Sequence, residues 1–233
     1  IGAWQDFARR LAHEIKNPLT PIQLAAQEIK SGYKGDDAAY RLKLEDATSM
    51  IEEEVATLRR LVGEFSAFAR LPTARLEAAD LGEFLRDVER GIPAMLEDLE
   101  VKGLSKVDIR FIYPRAALPA RLDAMMLRRG IDNLVRNAAQ AAATEHSEGG
   151  AEVVIEAKRV GDDAVIEVRD NGPGVPVEDM ERIFDPYYTT KHEGTGLGLP
   201  IVKKVVLEHG GAVECAQTER GGALFFVRLP LAR

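Results

Sequence analysis

The sequence predicts an α+β protein that consists of an N-terminal antiparallel helical hairpin and a two-layer α/β sandwich. The first observation is that apolar residues in about the first 70 positions recur with the four-three spacing of packed helices. The second is that helical periods alternate with the period-two pattern of strands in the remainder of the chain. We therefore expect one domain at residues 1–71, a hinge at residues 72–76 and a second domain at residues 77–233.

The composition is that of a globular protein, with 233 residues of which 45% are hydrophobic and 30% are charged. No apolar run is long enough to span a membrane. The net charge of −7 argues against a nucleic-acid-binding surface, and the single Cys215 excludes an internal disulfide. Because the chain begins at Ile1, inside a predicted helix, we expect it to be a fragment of a longer protein.

The first predicted helix runs from the amino terminus to about Lys30 and has one apolar face. The residues on that face are Trp4, Ala8, Leu11, Ile15, Pro18, Ile22, Ala25 and Ile29. His13 lies on the opposite face with Asn17 one turn later, so both side chains are expected to point to solvent. Pro18 and Pro21 each lack a backbone donor, which predicts a bend beside His13. Taken alone, an exposed helix histidine is most often only a solvated surface residue.

The second predicted helix follows a glycine-containing stop at residues 31–35, with Asp36 or Asp37 as its cap. Its apolar positions again follow a heptad and are Tyr40, Leu44, Ala47, Ile51, Val55 or Glu54, Leu58, Val62, Phe65 and Ala69. One hairpin buries such stripes poorly, so we expect two chains to form a homodimeric four-helix bundle. The pattern would suit any helical dimeriser.

The second part of the chain is predicted to contain three helices and five strands. The helices are Asp80 to about Asp98, Asp123 to about Ala143, and about Leu197 to His209. The strands are Val107 to Tyr113, Glu152 to Val160, Ala164 to Asp170, Ala212 to Thr218, and Ala223 to Leu229. A Gly-Asp-Asp turn at residues 161–163 joins the second and third strands as a hairpin.

Two segments of this part have side chains suited to a nucleotide and its metal. Asn133 and Asn137 lie one turn apart on one helix face, where their amide oxygens could meet Mg²⁺. Residues 170–174, Asp-Asn-Gly-Pro-Gly, follow a strand, so a carboxylate could accept from an exocyclic amino group while glycines let the backbone approach a flat ring. Each segment also has an ordinary structural explanation. The asparagines could be solvated surface residues, and Asp-Asn-Gly is a common turn sequence.

Two further segments follow in the chain. Residues 184–191, Phe-Asp-Pro-Tyr-Tyr-Thr-Thr-Lys, combine aromatic rings that could hold a loop with hydroxyls and a cation. Residues 194–199, Gly-Thr-Gly-Leu-Gly-Leu, open a helix, where free N–H groups and the helix dipole favour a triphosphate. They do not follow a strand in a βαβ unit, so the pattern does not indicate a dinucleotide site.

Residues 13–19, His-Glu-Ile-Lys-Asn-Pro-Leu, resemble the phospho-acceptor box of two-component sensor histidine kinases. The four later segments resemble, in the right order, the asparagine box, the two glycine boxes and the intervening phenylalanine box of an ATP-binding fold. Histidine kinases share that fold with gyrase, heat-shock chaperones and mismatch-repair proteins. The resemblance covers nearly the whole chain and implies that the sandwich is an ATP-binding domain of this type.

The resemblance also implies roles for particular residues. Asn137 would ligate Mg²⁺ with Asn133 nearby, and Asp170 would read the adenine amino group. Gly172 and Gly174 would shape the adenine pocket, and the segment between Gly174 and Gly194 would be a mobile lid. The groups expected around the phosphates are Lys191, Gly194, Thr195, Gly196, Leu197 and Gly198. Many kinases have a lysine or arginine at the position of Gln140. In this chain, neutralisation of the phosphate charge would therefore depend on Arg136, Lys191 or Mg²⁺.

The implied reaction is ATP-dependent phosphorylation of His13, with Glu14 orienting the imidazole and accepting its proton. The phosphoryl group would pass to an aspartate of a response regulator, and Asn17 would position water for dephosphorylating that partner. Two alternatives stay open, a dimeric scaffold that binds nucleotide without transfer and a clamp-type ATPase in which Asp132 lies close to the catalytic acid position.

Within the family, residues 18–24 and 64–70 resemble the nitrogen-regulation NtrY branch. Members of that branch are usually membrane sensors. The resemblance therefore implies a cytoplasmic fragment of a protein that is anchored in the inner membrane through an upstream region.

Overall fold

The computed structural model describes residues 15, 17–29, 37–69, 73–101, 106–190, 196–219 and 221–232. Several predicted features lie outside these residues, namely Trp4, Ala8, Leu11, His13, Glu14, Lys191, Gly194, Thr195, the candidate cap Asp36 and the glycine-containing stop at residues 31–35. The chain divides into two compact units, Ile1–Arg70 and Leu71–Arg233. Within the described residues, the first unit contains only helices and the second contains every strand.

Helix α1 occupies residues 17–29 of the first unit. Its apolar stripe is confirmed where it is described, because Pro18 and Ala25 are buried while Asn17 and Thr20 are exposed. The amide of Asn17 therefore faces solvent, as expected from its position on the helix.

Helix α2, Asp37–Ala69, lies beside α1, because residues of both helices, including Ala25 and Ala47, line one cavity. Ala47 is buried, and at the ambiguous heptad position Glu54 is half-buried whereas Val55 is 36% exposed. Tyr40 near the start of α2 donates from its hydroxyl to the carbonyl oxygen of Ile29 at 3.1 Å, which ties the end of α1 to α2. A single hairpin leaves large apolar side chains exposed, namely Leu19, Leu24, Leu42, Met50 and Val62.

The second unit has three helices and seven strands among its described residues. The helices are α3 Leu81–Val101, α4 Ala124–Glu145 and α5 Gly198–Glu208. The strands are β1 Glu77–Asp80, β2 Val107–Ile112, β3 Pro119–Leu122, β4 Ala151–Val160, β5 Asp163–Asp170, β6 Ala212–Gln217 and β7 Ala223–Pro230. All the helices and strands predicted for this part are confirmed, with ends that shift by a few residues. Two short 3₁₀ helices, Val177–Asp179 and Arg182–Phe184, follow β5.

Five strands form one mixed sheet in the order β2-β4-β5-β7-β6, in which only β2 and β4 pair in parallel. Alternate side chains of β4, such as Ile155, are fully buried toward the helices. The other face of the sheet has charge pairs, including Lys158 with Glu167 at 2.6 Å. Among the described residues of the second unit, the helices pack on one face of the sheet and the charge pairs lie on the other, which confirms the two-layer α/β sandwich.

A short ribbon of β1 and β3 was missed by the sequence analysis. The two strands pair antiparallel, with Glu77 opposite Leu122 and Asp80 opposite Pro119. Each has only four residues, too few for a period-two pattern to be recognised. The ribbon places Asp123, the N-cap of α4, directly after β3.

Candidate functional site

Asp170, the last residue of β5, is 6% exposed. Its Oδ1 accepts from the backbone N–H of Gly172 at 2.9 Å and from that of Ala223 at 3.1 Å. The first donor lies in the loop after β5 and the second at the start of β7. These hydrogen bonds hold the carboxylate in one orientation and hold the loop beside β7.

The loop after β5 approaches neighbouring backbone very closely. A Cβ added to Gly172 would lie 2.9 Å from the carbonyl carbon of Ala141 in α4. One added to Gly174, which has a φ of +76°, would overlap the carbonyl oxygen of Gly221. The glycine pair Gly221 and Gly222, between two strands, was not predicted to contribute, yet a Cβ added to Gly222 would overlap the backbone oxygen of Asp170. The pair itself was the available signal.

Asn133 and Asn137 are half-buried on α4, and the structure brings Asn137 to the start of α5. A Cβ added to Gly198 would lie 3.6 Å from Nδ2 of Asn137. The two helices can approach this closely because Gly130 of α4 faces the side chain of Val205, at 3.3 Å from a built Cβ. The asparagine pair and the glycine-rich helix start are therefore neighbours, although they lie in separate parts of the sequence.

The start of α5 has no side-chain cap, since the buried N-cap residue Leu197 cannot supply one. Gly196, with a φ of +64°, accepts from the backbone N–H of Tyr187 at 2.9 Å. Phe184 is buried and meets the ring of Phe225 edge to face at 6.4 Å. The predicted anchoring of this loop by an aromatic residue is thus present at Phe184, and it brings the loop to the glycines that precede α5.

Charged groups on α4 lie near the asparagines. Burial raises the pKa of Asp132, while Arg128 and Arg136 oppose that shift. Asp132 lies 3.6 Å from Arg128, one turn earlier. Within the described residues no group of three or more His, Cys, Asp or Glu side chains could hold a metal ion.

Comparison with known families gives the class of the protein. Residues 3–74 match the His Kinase A (phospho-acceptor) domain, and residues 122–233 match the histidine kinase-, DNA gyrase B- and HSP90-like ATPase. The chain therefore belongs to the sensor histidine kinases. None of its described helices meets the length and hydropathy that a membrane crossing requires.

Within this family the chain is similar to NtrY proteins. It is 38% identical to nitrogen regulation protein NtrY of Azorhizobium caulinodans, over 99% of this chain and 29% of the relative. It is 32% identical to a putative sensor histidine kinase NtrY-like of Rickettsia conorii, over 98% of this chain and 36% of the relative. The chain thus spans about a third of the length of these curated relatives.

Solved structures of histidine kinases have the same fold. The match to the catalytic domain of ThkA covers 67% of this chain and 95% of the ThkA chain, with 28% identity and a TM-score of 0.54. The match to ThkA in complex with the response regulator protein TrrA covers 97% of this chain and 61% of the matched chain, with 24% identity and a TM-score of 0.72. The second likeness concerns the fold alone, and it extends over nearly the whole chain.

Proposed function

We propose that the chain is an ATP-dependent protein-histidine kinase that phosphorylates its own His13 and transfers the phosphoryl group to an aspartate of a response regulator. The observation that carries this proposal is the presence, in one chain and in this order, of a phospho-acceptor domain and a histidine kinase-type ATPase domain. These matches do not favour a nucleotide-binding scaffold or a clamp-type ATPase. The domains proposed are residues 1–71 and 77–233, with a hinge at 72–76.

The fixed carboxylate of Asp170 supports adenine as the base. Its Oδ1 accepts from two backbone N–H groups, so this side chain acts as a hydrogen-bond acceptor. Adenine presents an N6 amino donor where guanine presents the O6 acceptor, so a carboxylate at this position favours ATP over GTP. Gly172 and Gly174 allow the loop backbone to lie close to a purine ring.

The proximity of Asn137 to Gly198 supports a phosphate and magnesium site between α4 and α5. Asn137, with Asn133 nearby, supplies amide oxygens, and Gly196, Leu197 and Gly198 lie at the helix start, where N–H groups favour an anion. Lys191, Gly194 and Thr195 complete the proposed phosphate-binding set. Mg²⁺, held there by Asn137, would supply positive charge that neutralises the phosphates. Arg136 and Lys191 are the side chains proposed for the neutralisation that Gln140 does not provide.

In the proposed reaction an imidazole nitrogen of His13 attacks the γ-phosphorus in line with the bond to ADP. The nitrogen–phosphorus bond forms as the phosphorus–oxygen bond breaks, and the imidazole proton passes to Glu14. The phosphoramidate then transfers its phosphoryl group to the partner's aspartate. Asn17 is exposed on α1, which supports a second role in positioning water for hydrolysis of that acyl phosphate.

We also propose that the working unit is a homodimer within a longer, membrane-anchored sensor. The exposed apolar side chains of the hairpin, such as Leu24 at 60% and Leu42 at 64%, support a helical partner. The chain spans 29% of the length of the NtrY protein of Azorhizobium caulinodans, which supports a kinase core next to domains outside this sequence. We propose that this core lies in the cytoplasm.

The test is incubation with γ-labelled ATP and Mg²⁺, comparing the chain with His13→Gln and Asp170→Asn. We expect label only in the unsubstituted chain, lost in acid and stable in base, because a phosphoramidate has that stability. Equal labelling of His13→Gln, or acid-stable label, would contradict the proposal. Asp170→Asn keeps the phospho-acceptor His13, so a loss of label in this variant reports a loss of nucleotide binding and not of the acceptor.

A further inference from the structure

His146 lies immediately after α4 and reaches the loop that follows β5. Its Nε2 lies 2.9 Å from the backbone carbonyl oxygen of Asn171. A carbonyl oxygen can only accept, so Nε2 must hold the proton that is shared. The backbone N–H of His146 itself donates to the carbonyl of Ala142 at 2.9 Å, so the histidine remains part of the helix end.

The side chain of Asn171 holds the same loop from the other side. Its Oδ1 accepts from the backbone N–H of Glu152 at 2.9 Å, and its Nδ2 donates to the carbonyl of Gly150 at 2.8 Å. One end of the amide is therefore bonded to the loop that joins α4 to β4, and the other end to the second residue of β4. Although it follows Asp170 directly, Asn171 uses both ends of its side-chain amide to hold backbone in place.

These contacts join the two ends of the proposed nucleotide site. Asp170 precedes Asn171, and Gly172 packs against Ala141, one turn after Asn137 on α4. We infer that His146 and Asn171 are positioning residues that fix the adenine-reading carboxylate of Asp170 to the helix that holds Asn137. A nucleotide has a fixed length, so the site binds it well only if both ends keep their separation. The inference rests on the proposed ATP-binding function.

The test compares MgATP with the magnesium complex of purine riboside triphosphate, which lacks the 6-amino group. His146→Leu removes the donor to Asn171, whereas His146→Gln places an amide N–H near the position of Nε2. Asn171→Asp keeps the acceptor for Glu152 and sets an oxygen against the carbonyl of Gly150. Glu148→Ala, at an exposed residue of the same turn, is the matched control.

We expect the unsubstituted chain to bind MgATP about tenfold more tightly than the analogue, because one hydrogen bond to an ionised group is lost. His146→Leu and Asn171→Asp should reduce that preference by about threefold to tenfold, mainly through weaker ATP binding. His146→Gln and Glu148→Ala should leave the preference unchanged within about twofold. If His146→Leu does not fold, the isosteric Asn171→Asp provides the same comparison.

Variants that weaken both nucleotides equally would overturn the inference, because a general loss of stability does not distinguish the bases. Equal binding of ATP and the analogue by the unsubstituted chain would also overturn it, since Asp170 would then not read the amino group, while the kinase proposal would stand. If the unsubstituted chain bound neither nucleotide, the proposed function itself would fail.

Discussion

The imidazole of His209 joins α4 and α5, the two helices of the proposed nucleotide site, because its Nε2 accepts from the backbone N–H of Asp123 at 3.0 Å. The ring is 2% exposed, and its Nδ1 donates to the carbonyl of Val205 at 2.7 Å. Since Nε2 accepts and Nδ1 donates, this geometry fits the neutral ring with its proton on Nδ1. The start of α4 and the end of α5 are thereby held together, at the ends opposite the proposed nucleotide site.

Replacing His209 by leucine should destabilise the second unit. The half-buried N–H of Asp123 would lose its acceptor, a loss worth about 1–3 kcal/mol of the free energy of unfolding. The measurement is urea unfolding of the chain followed by circular dichroism. Leu207→Ala, at a residue that is 59% exposed in the same turn, should change the free energy by less than about 0.5 kcal/mol. Equal effects of the two substitutions would refute the contribution of the histidine.

Asp123 should make the stability of the chain depend on acidic pH. Its pKa is lowered from the usual 3.8, first by the hydrogen bond from the N–H of Met126 and also by that from Arg75. A depressed pKa in the folded state means that the stabilisation is present above the unfolded pKa and is lost as pH falls through the folded pKa. Stability should therefore decline below pH 3.8, and Asp123→Asn should show a shallower decline.

The measurement is the urea midpoint of each protein between about pH 2.5 and 7. Asp162→Asn, at an exposed turn residue, is the control and should keep the pH dependence of the unsubstituted chain. If the stability of Asp123→Asn fell with decreasing pH as steeply as that of the unsubstituted chain, Asp123 would not be the source of this pH dependence.

The thiol of Cys215 should react slowly. Burial, together with the nearby charge of Asp170, raises its pKa to about 12. Only the thiolate is nucleophilic, so alkylation by iodoacetamide at pH 8 should be at least about 100-fold slower than that of a small-molecule cysteine. Asp170→Asn removes a negative charge, lowers the thiol pKa and should increase the rate.

Glu214→Gln provides the comparison for Cys215, because the neighbouring residue on β6 points to the opposite face of the sheet. It should leave the alkylation rate unchanged. A rate that rises equally in both variants would show that Asp170 has no specific influence on the thiol.

Gly172→Ala should displace the loop that holds Asp170. Its Cβ would lie 2.9 Å from backbone of Ala141, which cannot move without distorting α4. We expect ATP affinity to fall by about tenfold or more, as measured by isothermal titration calorimetry. Gly161→Asn is the control, because that glycine has a φ of +64° in an open turn where asparagine is tolerated. Unchanged ATP binding by Gly172→Ala would mean that the loop does not form the site.

Asn17→Ala should separate two activities of the phospho-acceptor domain. The amide is exposed on α1, and we propose that it positions water and not ATP. Dephosphorylation of a phosphorylated response regulator should fall by about tenfold or more, while autophosphorylation of His13 should change by less than about threefold. Thr20→Ala, the next exposed position on that face, is the matched control. Equal loss of both activities in Asn17→Ala would contradict this separation.

Much of the candidate site could be predicted from sequence because its segments are local. Asn133 and Asn137 share a helix face through the helical period alone, and the Asp-Asn-Gly segment ends a strand whose alternation is clear. The family resemblance then indicated that these segments belong together. The hydrogen bonds of the Asn171 side chain could not be predicted, because the Asp-Asn-Gly pattern is also a common turn sequence. The partners of Asn171, Gly150 and Glu152, lie across a loop.

The sequence by itself determined which segments become helices and which become the strands of the five-stranded sheet. It also determined which faces of these elements are apolar, and which polar residues end a strand or open a helix. Those properties depend on neighbours within a few positions, so they are present in the local pattern. Only the tertiary structure decided that Gly222 contacts Asp170, that β1 pairs with β3 and that His209 accepts from Asp123. Each of these contacts joins residues more than thirty positions apart, where packing of the whole sandwich, and not local propensity, selects the partner.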